Sequence, residues 1–290
     1  MTPKSDQLSN RHVVGWLRPA IRRWPASLRI GLLLLLVQVL VAVFADYLYP
    51  GDPFDLVGMP FTPPGDDPLF SLGTDILGRD IAAMLAHGAR TSLAIGLIAT
   101  LVASAIGTCL GLIAGYVGGW FDHLIMRFTE LFQVVPHFLL AMILLSIMGP
   151  QLPNIVMAVG LTSWSMVARM VRAETLKIRE MDFVKIAVVM GGGHARAVLI
   201  HVLPNTLGPI VTAASILSSL AVLTEAGLAF LGLNDSNFVS WGGMMGTSRD
   251  ALLTAPYMTI IPGLAIVTTV GALSLVGDGV SKLTARGGGV

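Results

Sequence analysis

A chain of 290 residues with 54% hydrophobic and 12% charged positions, and a mean hydropathy of +0.78, is too apolar for a soluble globular protein, where charged residues alone approach a quarter. It reads as an integral membrane protein. The formal net charge of +1, with no basic patch interleaved with aromatic residues, gives no sign of a nucleic-acid partner, and a single cysteine, Cys109, excludes an intramolecular disulfide framework.

Residues 1–29 carry Lys4, Arg11, Arg18, Arg22, Arg23 and Arg29 against one acid, Asp6, and residues 30–45 are uncharged. A signal peptide has this order of basic leader and apolar core. The apolar stretch, however, continues through Tyr47 and Tyr49 to nearly the ~20 residues of a membrane span, so residues 30–49 are expected to form a first transmembrane helix. Residues 50–90 turn to Pro, Gly and Asp, the composition of a loop with one short helix near residues 81–87.

No charge occurs between Arg90 and Asp122, which places a second span at about residues 92–116. Within it Gly107, Gly111 and Gly115 stand four apart, the small-residue spacing that lets helices approach closely, and Cys109 reads as a small buried packing residue. The next uncharged run, Glu130 to Arg169, is interrupted by GPQLPN at residues 149–154 and divides into spans at about 128–148 and 155–171. A charged central loop follows, then a fifth span at 206–231, a polar exterior segment at 232–256 and a sixth span at 257–276. With both termini inside, fifteen Lys and Arg fall on the cytoplasmic side and only Arg79, Arg90 and Arg249 outside, which satisfies the positive-inside rule.

The central stretch, EMDFVKIAVVMGGGHARAVLIHVLP at residues 180–204, reads as a short helix, a glycine break and a second helix. Phe183, Ile186, Ala187 and Met190 repeat at i, i+3, i+4 and i+7, while Val184, Val188 and Val189 leave the other side apolar as well. A helix of this kind needs partners on more than one side, either its own protein or a groove on another subunit.

Catalytic chemistry is not encoded by any recognisable pattern. There is no Walker A loop, HExxH, GxSxG or Cys/His metal cluster, so no catalytic or metal-ligating residue is assigned. The histidines read as surface or packing residues. Two carboxylates fall near or within spans, where ionisable groups are expensive. Glu130 reads as a helix-end residue beside Arg127, and Glu225 as a candidate for the translocation pathway.

The alanine at Ala187, the glycine at Gly191 and Leu203-Pro204 about ten residues on resemble the cytoplasmic EAA loop of ABC importer permeases. Two positions depart from that pattern: Lys185 stands at the usual glutamate and Ile186 at the first alanine. The resemblance extends through LGTDILGRD at 72–80, GARTSLAIGL at 88–97, HVLPN at 201–205, EAGLAFLGL at 225–233, SWGGMM at 240–245, PGLAI and GDG. These motifs are similar to the dipeptide/oligopeptide/nickel permease family, and to its "C"-type subunit.

The resemblance implies an all-α membrane protein of six transmembrane helices, one plus a five-helix type I importer core over residues 91–280, with the coupling loop at 173–205, a tail at 281–290 and both termini cytoplasmic. It implies an inner-membrane subunit of an importer for di- or oligopeptides, with nickel or metal chelates as the alternative cargo. The implied partners are a homologous "B"-type permease, two ABC ATPase subunits, an extracytoplasmic solute-binding protein and membrane lipid. ATP and Mg would be bound by the ATPases and no cofactor by this chain. Asp182, Phe183, Lys185, Ile186, Ala187, Met190, Gly191, Leu203 and Pro204 would form the ATPase-coupling element. Readings from other classes are a stand-alone secondary carrier, disfavoured by the scarcity of intramembrane ionisable groups and repeats, and a structural membrane subunit.

Overall fold

A computed structural model describes residues 24–287, with side chains through residue 284, so the basic leader before Arg29 lies outside the described residues. Among these residues the only β pairing is one isolated bridge, Thr74 to Asp80. The helices are α1 (Ala26–Val43), α2 (Ala45–Leu48), α3 (Ile81–Val117), α4 (Gly119–Val134), α5 (His137–Met148), α6 (Leu152–Arg179), α7 (Asp182–Ala187), α8 (His194–Ala197), α9 (Leu203–Phe230), α10 (Trp241–Thr247) and α11 (Tyr257–Gly287). Five segments are long and apolar enough to cross a membrane, and the bent pair α4–α5 makes a sixth if taken as one span.

Glycine sets the centre of the bundle. On α3, Gly107, Gly111 and Gly115 lie so close to α6 that a Cβ at each would fall 2.5–2.7 Å from Val167 Cβ, the Ala168 carbonyl and Thr175 Cβ. The four-residue spacing therefore builds a helix contact, the close backbone approach expected of small residues within a membrane. Gly31 of α1 and Gly279 of α11 do the same, against Ala272 and Leu28 respectively. Cys109 is exposed, which corrects its reading as a buried packing residue. It sits two positions from both Gly107 and Gly111, roughly 200° around the helix from the face that meets α6.

Three further expectations are corrected. Residues 81–87 are not an isolated loop helix but the first turns of α3, which has 37 residues and is capped by Asp80, whose carboxylate accepts the Ala82 N–H at 2.9 Å. The third span is not straight: α4 and α5 meet at 85°, because Val135 takes an extended conformation before Pro136, which cannot continue the helix. The segment at 232–256, read as polar, is not simply a solvated loop. Trp241, Gly242, Gly243 and Met244 of α10 are buried, Gly242 and Gly246 abut the backbone of Ala226 and Ala229, and the Trp241 indole donates to the Leu85 carbonyl at 3.0 Å.

The contacts sort the helix ends into two sets. At one end the start of α1 meets α11 through Leu28 and Gly279, the start of α9 meets α11 through Gly208 and Thr284, and the ends of α3 and α6 meet through Gly115 and Thr175. At the other, Tyr257 donates to the carbonyls of Thr62 and Thr74, and Arg90 on α3 reaches the Ala42 carbonyl and Asp46. The first set also carries residues 180–202.

Candidate functional site

Helix α7 starts after Met181 and has Asp182 in its first turn, where a negative charge suits the helix dipole. Val184 is 2% exposed and packs in a cluster with Leu112 of α3, Val171 and Ile178 of α6, and Val202 and Leu217 beyond the glycines. This one side chain ties α7 to the bundle. Phe183 and Ile186 stay exposed, as do Val189 and Met190 at 86% and 82%, while Ala187 is half-buried. Of the predicted stripe, Ile186 and Met190 thus form an apolar surface facing away from their own protein with Phe183 at its edge, and the opposite side holds the anchor.

The turn after α7 is built on glycine. Gly191 has φ +88° and Gly193 φ +68°, values a side chain would strain. Past them, His194 Nδ1 lies 3.0 Å from the Tyr116 hydroxyl at the end of α3. The Arg179 guanidinium donates to the carbonyls of Gly115 and Tyr116 at 3.1 and 3.0 Å, satisfying groups that the end of α3 leaves unpaired. Glu180 links Lys185, at 3.0 Å, to Arg179, and these two cations hold its carboxyl below the usual carboxylate range, Lys185 with the larger effect. Beside this network, Tyr116, Val184, Val188, Val189 and His194 line a cleft of about 350 Å³.

Leu203 and Pro204 do not close a loop. They lie at the start of α9, and helical structure runs almost unbroken from His194 to Phe230. α6 likewise runs to Arg179, well into the stretch read as loop. Phe183 meets His201 edge to face, with ring centroids 6.2 Å apart, so the two halves of the segment touch across the glycine turn.

Glu225 lies elsewhere, near the far end of α9. It is 2% exposed, one carboxylate oxygen has no hydrogen-bond partner, and the small cavity beside it is bordered by Thr91, Asn234 and Ser240. The structure therefore encloses this carboxylate beneath the segment leading into α10. Glu130 pairs with Arg127 at the surface. Among the described residues no three His, Cys, Asp or Glu side chains converge on a metal-sized site.

Sequence reading missed Tyr116, Arg179 and the pair Arg172–Asp122, whose two nitrogens and two oxygens form a bidentate contact between α6 and α4. Arg179 and Arg172 were legible only as inside charges. Their partners lie fifty or more residues away in sequence, beyond any local pattern.

Comparison with known proteins places this arrangement. A family model described as "Binding-protein-dependent transport system inner membrane component" matches residues 107–287. The chain is 37% identical over 258 residues to a putative peptide transport system permease protein of Brucella suis, covering 87% of this chain and 85% of the relative. It is also 37% identical over 255 residues to the di/tripeptide transport system permease protein DppC of Pseudomonas aeruginosa, covering 86% and 84%. A third similar protein, the glutathione transport system permease protein GsiD of Pectobacterium atrosepticum, shares 37% over 248 residues, covering 85% and 82%.

Proposed function

The chain belongs to the family of binding-protein-dependent transport system inner membrane components, and from that premise we propose that it is one permease subunit of an ATP-driven importer of di- and oligopeptides. It is a multi-pass protein of the inner membrane. The peptide class is supported by the names of its relatives, which are peptide and di/tripeptide permeases. The positive-inside count supports a cytoplasmic location for the end of the bundle that carries α7.

In this reading, exposed Phe183, Ile186 and Met190 enter a groove on an ATPase subunit, with Asp182 and Lys185 at its rim. Each ATPase holds ATP and Mg, and a homologous permease completes the pathway. A solute-binding protein delivers the peptide at the opposite end. Closure of the ATPase pair pulls on α7. Val184 passes that displacement into the bundle through the apolar cluster it shares with residues of α3, α6 and α9. Moving a population from 1:99 to 99:1 between inward- and outward-facing states takes about 5.5 kcal/mol of differential stabilisation. A packed apolar side chain can transmit such a bias, whereas a solvated loop cannot.

The observation that carries the proposal is this two-sided α7, anchored by Val184 and presenting an unpartnered apolar face. Its test is co-purification of the assembled complex from wild type and from an Ile186→Glu, Met190→Glu double variant. Both side chains are exposed, so the change spares the bundle. The variant is expected in the membrane at wild-type level with its second permease bound and its ATPases lost. Retention of the ATPases by the variant would remove the coupling role from this face.

A further inference from the structure

At the end of the bundle opposite α7, the first long loop meets the segment leading into α10 around a cavity of about 160 Å³. Arg79 forms one wall. Its side chain is nine-tenths buried, and Nε lies 2.8 Å from Asp75 Oδ2 in an ionic contact without the alignment of a hydrogen bond. Phe54 covers the guanidinium, 5.7 Å from ring centroid to Cζ. Among the described residues neither terminal amino group of Arg79 donates a hydrogen bond, and the residue borders the cavity.

The body of the Arg79 side chain is buried, while its terminal amino groups keep contact with the cavity and are donors available to a ligand. Asp75 balances the charge of Arg79 without taking a hydrogen bond from its terminal amino groups: Oδ1 accepts the backbone N–H groups of Leu77 and Arg79, and Oδ2 lies nearest Nε. Asp235, across the cavity, is likewise engaged: Oδ1 accepts from the backbone and side chain of Asn237 and Oδ2 from the Leu152 N–H. Ser240 Oγ accepts the Gly243 N–H. Asn234 and Ser236 remain as uncharged polar groups on the wall facing Arg79, with Phe238 beside them. Two open terminal amino groups of a guanidinium, two neutral polar residues and aromatic cover match a carboxylate on a small apolar or polar stem.

We propose that this cavity is a carboxylate-binding site, with Arg79 holding the carboxylate and Asn234 and Ser236 contacting the group behind it. The assignment of its ligand rests on the peptide-importer reading: the carboxylate is the C-terminus of the incoming peptide, bound before passage between the helices. The cavity opens to solvent on one side, so a terminal residue can enter while the rest of the peptide stays outside and chain length is left free.

The test uses the complete importer in lipid nanodiscs, with two readouts. In the first, modification of Arg79 by phenylglyoxal is followed by mass spectrometry with dialanine, dialanine amide or sodium acetate present. Dialanine and acetate are expected to slow modification of Arg79, and the amide is not. In the second, ATP-driven uptake of dialanine and its amide is compared in proteoliposomes for wild type, Arg79→Gln, Arg79→Lys and Asn234→Leu. Wild type is expected to prefer dialanine by about tenfold, a difference of ~1.4 kcal/mol. Arg79→Gln should abolish that preference, Arg79→Lys should keep part of it, and Asn234→Leu, which leaves the Asp75 turn untouched, should weaken it.

If Arg79 is protected by acetate and dialanine while no peptide is transported, the site stands and the peptide reading falls. If peptide is transported while dialanine leaves Arg79 as reactive as before, or phenylglyoxal never reaches Arg79, the site falls and the peptide reading stands. Equal loss of dialanine and amide uptake in both Arg79→Gln and Asn234→Leu also overturns the site, because it reduces Arg79 to a support of the loop.

Discussion

The Tyr116 hydroxyl and His194 Nδ1 lie 3.0 Å apart across 78 residues of sequence. Tyr116 lies at the end of α3 and His194 follows the glycine turn, so this contact fastens the chain beyond that turn to the same helix end that Arg179 binds. The stretch from Arg179 to His194 is therefore tied to the end of α3 at two points.

Tyr116→Phe removes this bond and keeps the ring. The loss is expected to be about 1 kcal/mol, the usual net worth of one hydrogen bond, and to loosen the Val188–Gly192 turn without unfolding the bundle. Limited proteolysis should cut that turn about fivefold faster in the variant, since cleavage follows the population of the opened form. Unchanged cleavage would mean that the turn is held by Val184 alone.

Gly111 gives a sharper steric prediction. A Cβ there would lie 2.6 Å from the Ala168 carbonyl and 2.8 Å from Val171 Cβ, both in the α6 face it packs against. Gly111→Ala is expected to cost ~1–3 kcal/mol through overpacking and to lower the melting temperature in detergent by several degrees. Gly271→Ala is the control, since nothing lies within 4 Å of the point its methyl group would occupy and helix propensity favours alanine. A similar fall for both variants would show that close helix approach is not what Gly111 supplies.

Glu225 is enclosed with one oxygen unpaired, which makes it a liability in this conformation. Glu225→Gln keeps the shape and removes the possibility of an unpaired buried charge, so the melting temperature should rise by a few degrees. Glu225→Ala should lower it by leaving a void. A lower melting temperature for the glutamine variant would reveal a partner that needs the carboxylate itself.

The legible and illegible parts of this fold divide along a physical line. The glycines at 107, 111 and 115 announce a helix contact because the face of one helix is written at four-residue spacing, and the stripe on α7 can be read by the same rule. The bend at Pro136 is equally local. It is masked in the sequence because the uncharged run has the right total length for one span. Trp241 carries a signal in its flanking Gly242 and Gly246, small residues four apart, yet the surrounding polar residues suggest an exterior loop. The bonds from Arg179 to Gly115 and Tyr116 have no local signature at all, since they depend on which helix ends the packing brings together. Arg79 is legible as one of three outside cations, but its emptied surroundings are a property of the folded loop.

The loop bearing Asn234 and Ser236 should respond to acid through Asp235. Burial alone raises the Asp235 carboxyl, but hydrogen bonds from Asn237 and the Leu152 N–H more than offset it, so its pKa lies below the ordinary 3.8. A carboxyl depressed on folding contributes stability that is present above its unfolded pKa and is lost as the pH falls through the folded value. The Leu152 amide, 2.9 Å from Oδ2, is the reporter of that loss. Its hydrogen exchange, corrected for the intrinsic pH dependence, should be protected at about pH 5 and above and become progressively less protected below the ordinary carboxyl value of 3.8. Asp235→Asn removes the titrating group, so its corrected protection should not change over the same range. A pH-independent Leu152 amide in the wild type would show that Asp235 does not hold the start of α6, and would leave the wall opposite Arg79 fixed by its packing alone.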